Sequence, residues 1–299
     1  MDKSKVIGEQ IRYLRQQAGL TQAQLAQGII TQAQISNIEK GRVLPLSTTL
    51  YELANKLGVD VNYFYEQAYN IRPDYISEVK FQIRKAIRER DYEEVERIIV
   101  AEENNPAFKV AHNRQFLLWH LGIIEYYNKG DFKKSLTTLQ NALEMNTNLN
   151  KVNVKLQEIE ILNSIAIIYN EVKQYTKSIQ KYHQAFSKLD KLIDVRDPKI
   201  EIRLCYGLAK SYYKIDDFQQ SISLCNRGIH LCINQEVLYL LGELYYQTAQ
   251  NYEKHNDIKK AVKLYSKSKE LFEIENKAVF IEIVKDKLNQ MKKEQIFVF

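Results

Sequence analysis

Residues 20–41 read LTQAQLAQGIITQAQISNIEKG and contain two short helix patterns, each opened by a threonine. Thr21 is followed three positions later by Gln24, and Thr31 is followed in the same way by Gln34. In such a capping box the threonine hydroxyl accepts a hydrogen bond from an unpaired backbone N–H of the first turn, and the glutamine side chain bonds back to the threonine backbone. The stretch therefore predicts a helix-turn-helix.

Apolar residues anchor this helix pair, and its outward face is small and polar. Leu25, Ile35 and Ile38 supply the anchors, and Gly41 can adopt the left-handed conformation that ends a helix. Asn and Gln can pair bidentately with adenine, so the outward face predicts contact with double-stranded DNA. The predicted DNA-contacting residues are Gln22, Thr31, Gln32, Ala33, Gln34, Ser36, Asn37, Lys40 and Arg42.

Two modes of DNA contact are open for some of these residues. Gln22 and Gln32 begin their helices, where backbone N–H groups and the helix dipole favour phosphate, so they contact either the DNA backbone or its bases. Lys40 and Arg42 are candidate phosphate contacts. The alternative for both is a solvated loop charge.

The composition indicates a nearly all-α chain of two domains. A chain of 299 residues is too long for one simple core, and 45% apolar residues are ample for folding. Only four prolines and ten glycines argue against the many turns of an all-β fold. The net charge of +6 permits nucleic-acid binding without requiring it.

Cysteine, histidine and hydropathy patterns argue against several functional classes. Cys205, Cys225 and Cys232 are an odd number and indicate buried, reduced thiols in a cytoplasmic protein, with a thiol-sensing regulator as the alternative. No apolar run is long enough to span a membrane, and the charged N-terminus is unlike a signal peptide. The scattered histidines show no ligand spacing and no nucleophile–base pair stands out, so we expect no metal, no cofactor and no enzymatic activity.

The rest of the chain repeats one pattern, seen in KGDFKKSLTTLQNAL (129–143), KQYTKSIQKYHQAF (173–186), DDFQQSISLCNRGI (216–229) and NDIKKAVKLYSKSK (256–269), with a weaker copy at 90–100. The aligned aromatic or apolar residues lie 40, 43, 43 and 40 positions apart and are Tyr92, Phe132, Tyr175, Phe218 and Ile258. A tyrosine-bearing helix pattern precedes each copy. Helix pairs at this period are typical of tetratricopeptide (TPR) repeats.

These patterns together predict an all-α protein with two domains. We expect a five-helix DNA-binding domain over residues 1–66 and a linker over 67–76, where Pro73 ends a linker helix near Arg72. Residues 77–299 are expected to form a superhelix of about five TPR repeats, closed by a capping helix near 277–293. The first helices of the pairs would line a concave groove of tyrosines, amides and charges, which suits an extended peptide.

The N-terminal stretch resembles a Cro/repressor-type helix-turn-helix, with GLTQAQLA followed by Ile35-Ser36-Asn37-Ile38-Glu39-Lys40-Gly41. Joined to TPR repeats, it resembles the RNPP family of peptide-responsive quorum-sensing regulators over the whole chain. The short turn between Ala26 and Thr31 is similar to that of the PlcR type within this family.

This resemblance implies a cytoplasmic homodimer that binds a palindromic operator and is switched by a short signalling peptide in the TPR groove, with activation as the expected effect and repression as the alternative. It implies that Arg88 and Arg90 face acidic groups of the peptide and that Asn163 holds its backbone. Gly207 and Glu243 stand where the family has a groove asparagine and a glutamine. The complete predicted peptide-binding set is Arg84, Arg88, Arg90, His120, Asn163, Ile167, Tyr206, Lys210, Glu243, Tyr246 and Gln247.

Two alternatives compete with this interpretation. Arg88 and Arg90 flank Glu89 in a charged run that could be a solvated helix end with weak ion pairs. The groove could also hold a protein partner, which would make the chain a TPR interaction scaffold rather than a peptide sensor.

Overall fold

The computed structural model describes residues 2–69, 73–145, 156–192 and 197–296, and within these ranges the chain is helical and has no strand. The helices are α1 (Lys3–Gln17), α2 (Gln22–Ala26), α3 (Gln32–Glu39), α4 (Ser47–Leu57), α5 (Val61–Tyr69), α6 (Pro73–Glu89), α7 (Tyr92–Glu102), α8 (Ala111–Tyr127), α9 (Phe132–Glu144), α10 (Leu156–Glu171), α11 (Tyr175–Leu189), α12 (Pro198–Lys214), α13 (Phe218–Asn234), α14 (Leu241–Lys254), α15 (Ile258–Ile274) and α16 (Ala278–Ile296). The all-α prediction is confirmed. None of the helices described is long and apolar enough to cross a bilayer.

The chain divides into two compact units, residues 1–117 and 118–299. Within the first unit, α5 extends to Tyr69 and α6 begins at Pro73. The predicted end of a linker helix near Arg72 lies outside the described residues. The boundaries predicted for the DNA-binding domain, the linker and the repeat domain stay predictions.

The first five helices enclose a small core of their own. Ile11, Leu25, Ile35, Leu53 and Phe64 are each fully buried in it, which confirms the predicted five-helix arrangement. Burying several large apolar side chains contributes about 1.5–3 kcal/mol for each, and this supports helices too short to be stable alone.

Both capping boxes are present at the starts of α2 and α3. The Thr21 hydroxyl accepts from the backbone N–H of Gln24 at 3.2 Å, and the Gln24 side chain accepts from the Thr21 N–H at 2.8 Å. Thr31 and Gln34 repeat the arrangement at 3.2 and 2.9 Å. The sequence therefore fixes where each helix of the pair begins.

Helix α1 packs against the end of α3 at very short range. A Cβ atom at Gly8 would lie 2.0 Å from the backbone oxygen of Ile38, so no larger residue fits without moving the helices apart. Gly41, predicted to end α3, has a φ of +68°. These two glycines set the position of the second helix of the pair.

The repeats are built from antiparallel helix pairs, which are α6/α7, α8/α9, α10/α11, α12/α13 and α14/α15. The small residue of each of the four clear copies is completely buried, and these residues are Ser135, Ser178, Ser221 and Ala261. The Ser178 hydroxyl donates to the backbone oxygen of Ala166 on the facing helix at 2.7 Å. A small side chain is required because the two helices approach closely there.

One residue in the turn inside every pair adopts the left-handed conformation. These residues are Arg90, Gly130, Lys173, Asp216 and Asn256, with φ between +59° and +67°. They recur at the period of the repeat. Left-handed backbone suits glycine best, so the four other side chains are placed there at a small conformational cost.

Helix α16 covers the open face of the last pair. Val284 and Met291 are buried against Tyr265 and Phe272 of α15. This confirms the predicted capping helix, which a repeat array needs because its terminal face would otherwise expose apolar side chains.

Candidate functional site

A buried ion pair ties the helix pair to α1. Arg15 on α1 donates from Nε to Oε1 of Glu39 at 2.5 Å and from a terminal nitrogen to Oε2 at 2.9 Å. Gln22 on α2 donates its side-chain amide to the same Oε2 at 2.9 Å. A bidentate arginine–carboxylate pair with a third donor is strongly directional, so it holds three helices in one geometry.

The same contacts keep the Glu39 carboxylate charged. Burial alone would disfavour the charged form, but the hydrogen bonds from Arg15 and Gln22 outweigh it and lower the pKa of Glu39. The hydrogen bond to Glu39 in turn raises the pKa of Arg15. In the sequence Glu39 is recognisable only as part of the helix-turn-helix motif, and nothing in the local pattern identifies Arg15 as its partner.

The predicted DNA-contacting residues divide into those already engaged within the protein and those facing outward. Gln22 is half-buried and bonded to Glu39, and Gln34 accepts from the Thr31 backbone, so both amides have internal roles. Thr31 caps α3 through its hydroxyl. The remaining predicted residues lie exposed or half-buried on α3 and the loop after it, and these are Gln32, Ala33, Ser36, Asn37, Lys40 and Arg42.

Three predicted groove residues share an unusual property. Asn163 on α10 and Gln247 on α14 are only 5% and 4% exposed, and Glu243 on α14 is 8% exposed. In each, one side-chain atom has no hydrogen-bond partner, namely Oδ1 of Asn163, Nε2 of Gln247 and Oε2 of Glu243. Buried polar atoms nearly always find a partner, so a site with several unpaired atoms has the chemistry of a binding surface.

The other predicted groove residues of the second unit are more varied. Tyr206 and Tyr246 are half-buried, and Lys210 lies with its ammonium 5.4 Å from the centre of the Tyr206 ring. Burial lowers the pKa of Lys210. Ile167 is half-buried, whereas His120 is only 2% exposed and its ring centre lies 4.3 Å from that of the neighbouring Trp119, so little of the imidazole is accessible to a ligand.

The predicted arginines of the first pair lie in the first unit. Arg84, Arg88 and Arg90 are all exposed, and Arg84 lies 5.4 Å from the centre of the Phe116 ring. Arg90 occupies the left-handed position of its turn. The structure therefore leaves these guanidinium groups accessible to solvent.

A lysine that the predicted site omits lies between these arginines and α8. Lys80 donates to Oδ1 of Asn113 at 2.8 Å and lies 3.0 Å from Nε2 of His112. No carboxylate of the described residues pairs with it. Burial and the neighbouring Arg84 lower the pKa of Lys80 to about 8.

Comparison with known proteins assigns the two parts of the chain. The profile of the RNPP family C-terminal domain matches residues 80–293. The chain belongs to the RNPP family. A helix-turn-helix profile matches residues 11–64 of this RNPP protein, as expected for a transcription regulator.

Named relatives agree with this assignment. An uncharacterised HTH-type transcriptional regulator of Sinorhizobium fredii, y4dJ, is 43% identical over 60 residues, which are 20% of this RNPP chain and 78% of the relative. The structure of Bacillus thuringiensis PlcR in complex with the peptide PapR7 and DNA is 26% identical, with a TM-score of 0.83 and coverage of 94% of this chain and 99% of that one.

A more distant structure shares the fold alone. ComR from Streptococcus thermophilus, solved in complex with DNA and its signalling peptide ComS, is 15% identical with a TM-score of 0.63. The match covers 96% of this RNPP chain and 99% of the ComR chain. The family-profile match over residues 80–293 confirms the resemblance to the RNPP family, and the likeness to PlcR confirms the helical-repeat fold.

The repeats of this RNPP protein also contain an ion pair that the predicted site does not include. Arg203 on α12 donates to Oε2 of Glu160 on α10 at 2.5 Å and to the Tyr239 hydroxyl at 2.9 Å. Arg203 and Glu160 both lie on first helices of their pairs, which the sequence predicts to line the groove. The pair links neighbouring helix pairs, and only the fold brings its members together.

The cysteines of this RNPP protein do not have the properties of sensing thiols. Cys205, Cys225 and Cys232 are free and buried, and burial raises the pKa of their thiols to about 12, 12 and 11. Reactive cysteines are partly exposed and have lowered pKa values, so these three have the character of packing residues. The residues described contain no metal-binding cluster of histidine, cysteine and carboxylate side chains.

Proposed function

We propose that this RNPP protein is a cytoplasmic transcription regulator that binds a palindromic double-stranded DNA site as a homodimer. A short signalling peptide held in the helical-repeat groove controls this binding. The observation that carries the peptide role is the set of unpaired polar atoms on Asn163, Glu243 and Gln247. The solved complex of PlcR with PapR7 and DNA supports both ligands by analogy.

The unpaired atoms match the chemistry of an extended peptide. An unsatisfied buried polar group costs about 1–3 kcal/mol, and a ligand that supplies the missing partner recovers this energy. A peptide backbone offers N–H donors for Asn163 Oδ1 and Glu243 Oε2, and carbonyl acceptors for Gln247 Nε2. A protein partner that contacts the groove only through side chains does not offer the regularly spaced backbone N–H and C=O groups that would pair with all three atoms.

The outward face of α3 supplies the DNA contacts in this proposal. Gln32 and Asn37 are the candidate base-reading residues, because their amides make none of the described internal bonds. Lys40 and Arg42 are the candidate phosphate contacts. Gln22 and Gln34 contribute by holding the helix pair in shape.

Peptide control of DNA binding requires two states that differ in their contacts. A peptide bonded to Asn163 and Gln247 would favour states in which α10 and α14 are correctly spaced. The peptide changes DNA affinity only by the difference between its affinities for the two states.

DNA binding is tested by selecting operators from a pool of random palindromes and measuring affinity by fluorescence anisotropy. Asn37→Ala is expected to weaken the selected operator by about 1–3 kcal/mol and to relax base preference. Gln27→Ala, which removes an exposed amide in the turn between α2 and α3, is the matched control. An Asn37→Ala variant with unchanged affinity and preference would contradict the proposed reading face.

The role of Arg90 is tested with a pair of glycine variants. Arg90→Gly and Lys173→Gly both place glycine at a left-handed position, so neither is expected to destabilise the fold. Isothermal titration with a short random-sequence peptide pool, rich in acidic residues, is expected to show weaker binding only for Arg90→Gly. Equal binding by both variants would remove Arg90 from the site, and no binding by the wild type would reject the peptide role.

A further inference from the structure

Tyr182 on α11 reaches the neighbouring helix α12 at a point where that helix has no side chain. A Cβ atom at Gly207 would lie 2.1 Å from the Tyr182 hydroxyl and 2.5 Å from its Cζ. The phenol therefore fills the space that any other residue at position 207 would occupy. Tyr182 itself is only 1% exposed.

The hydroxyl at this point has no hydrogen-bond partner among the described residues. The equivalent tyrosine two repeats later, Tyr265, donates to Oε2 of Glu253 at 2.6 Å. The position that corresponds to Glu253 in the pair of Tyr182 is Asn170, whose amide donates instead to Ser211 at 2.7 Å. The two tyrosines occupy the same position in their repeats, but only the Tyr265 hydroxyl has a hydrogen-bond partner within the protein.

The hydroxyl lies beside α12, the first helix of its pair, and the sequence predicts that these first helices line the groove. Tyr206 and Arg203, the residues of α12 that electrostatically influence the Tyr182 hydroxyl, both lie on this helix, and Tyr206 belongs to the predicted peptide-binding set. Burial, reinforced by Tyr206 and Glu171, raises the pKa of Tyr182, so the hydroxyl stays protonated and can donate. The hydroxyl therefore lies against the backbone of α12 at Gly207, while the ring belongs to the core between the helix layers.

We propose that the Tyr182 hydroxyl is a ligand-binding donor at the floor of the groove, and that it hydrogen-bonds a backbone carbonyl of the bound peptide. This inference rests on the proposed function of the groove. A neutral carbonyl fits better than a carboxylate, because Glu171 is nearby and Arg203 is already paired with Glu160. Gly207 has a matching role, since its missing side chain opens the path for the phenol.

The test compares Tyr182→Phe with Tyr265→Phe, which remove one hydroxyl each from equivalent positions. Tyr182→Phe removes an unpaired hydroxyl, so the melting temperature is expected to stay unchanged or to rise slightly. Tyr265→Phe breaks a bond to Glu253 and is expected to lower the melting temperature. Peptide affinity is expected to fall about three- to tenfold in Tyr182→Phe and to stay unchanged in Tyr265→Phe.

The probe is a pool of short random-sequence peptides captured on the full-length protein and identified by mass spectrometry. The tightest captured peptide is then synthesised as a series in which each amide in turn is replaced by an ester, since an ester carbonyl is a weaker acceptor. One ester is expected to weaken binding to the wild type and to have no further effect in Tyr182→Phe.

The possible outcomes separate this inference from the function on which it rests. If the wild type captures no peptide, the proposed function and the inference both fail. If the wild type and Tyr182→Phe bind the captured peptide equally, or every ester has the same effect in both proteins, the peptide role stands and the Tyr182 inference is overturned.

Discussion

The helix-turn-helix and the repeats differ in whether their buried polar groups have hydrogen-bond partners within the protein. In the described residues up to position 69, the buried carboxylate of Glu39 is fully paired and no buried side-chain atom lacks a partner. Besides the Tyr182 hydroxyl, the described chain has unpaired buried side-chain atoms on Glu125, Asn163, Gln174, Glu243, Gln247, Asn251 and Glu275, all in the repeats, and Asn163, Glu243 and Gln247 are predicted groove residues. In the first region the protein itself supplies the hydrogen-bond partners of the buried polar groups. In the second, several buried polar atoms have no such partner, which is the chemistry of a ligand-binding surface.

The largest expected effect is that of breaking the paired network of the helix-turn-helix. Glu39→Ala removes one member of a buried ion pair and leaves Arg15 and Gln22 without their acceptor. We expect the free energy of unfolding of this region to fall by about 3–5 kcal/mol. Hydrogen exchange of the α1 and α3 amides measures this loss. Glu282→Ala, which removes an exposed pair with Lys285, is the control and is expected to cost less than about 1 kcal/mol.

The contribution of Glu39 also has a defined pH dependence. Because the folded-state pKa of Glu39 is lowered, its stabilisation is fully present above its usual 4.5 and is lost as the pH falls through the folded value. The difference in stability between wild type and Glu39→Ala should therefore shrink in acid. A difference that stays constant between neutral and acid pH would contradict the paired state.

A steric change at the same interface is expected to cost less. In Gly8→Ala, the new methyl group would lie 2.0 Å from the Ile38 backbone oxygen, so α1 and α3 must separate. We expect a loss of about 1–3 kcal/mol in chemical denaturation, together with weaker operator binding. Glu9→Ala, at an exposed position of the same helix, should leave both quantities unchanged.

In the repeat region, removing a half-buried charge is expected to stabilise the ligand-free protein. Lys80 is half-buried without a carboxylate partner, and partial burial together with Arg84 lowers its pKa from 10.5 to about 8. Because the folded value is the lower one, wild-type stability rises with pH between about 8 and 10.5. Lys80→Met should raise stability at neutral pH by at most about 1–2 kcal/mol after allowance for solvent screening, because it also leaves Oδ1 of Asn113 without this donor.

Urea unfolding at neutral pH and near the upper end of this range checks the prediction. The gain from Lys80→Met should be largest at neutral pH and should diminish as the wild-type lysine loses its proton. Lys85→Met, an exposed lysine on the same helix, should show no such pH dependence. A gain that is equal at both pH values would mean that Lys80 carries no burial penalty.

The smallest expected effect bears most directly on the groove. Gln247→Leu replaces a buried amide whose Nε2 is unpaired, so the ligand-free protein should gain about 1 kcal/mol while peptide binding weakens. Thermal unfolding and peptide titration measure the two quantities. Gln250→Leu, a half-buried amide on the same helix, should not gain stability. A loss of stability in Gln247→Leu would mean that the amide is satisfied within the protein.

Short-range sequence signals determined the order of the helices in this protein and where they begin and end. The capping boxes at Thr21 and Thr31, the glycine at 41 and the repeat period are all local, because they depend on residues a few positions apart or on the recurrence of one pattern. They were sufficient to predict the helix-turn-helix, the repeat pairs and the capping helix. The outward face of α3 followed from the same helical periodicity.

Only the tertiary structure decided which polar groups meet. The chain order gives no sign that Gln22 bonds to Glu39, that Arg203 joins Glu160 to Tyr239, or that the Tyr182 hydroxyl enters the gap left by Gly207. Such pairings depend on distances of a few tenths of an ångström between helices far apart in sequence, and hydrogen-bond energy falls steeply over that range. The sequence determined where the helices lie along the chain, and packing between them determined which side chains were left to bind a ligand.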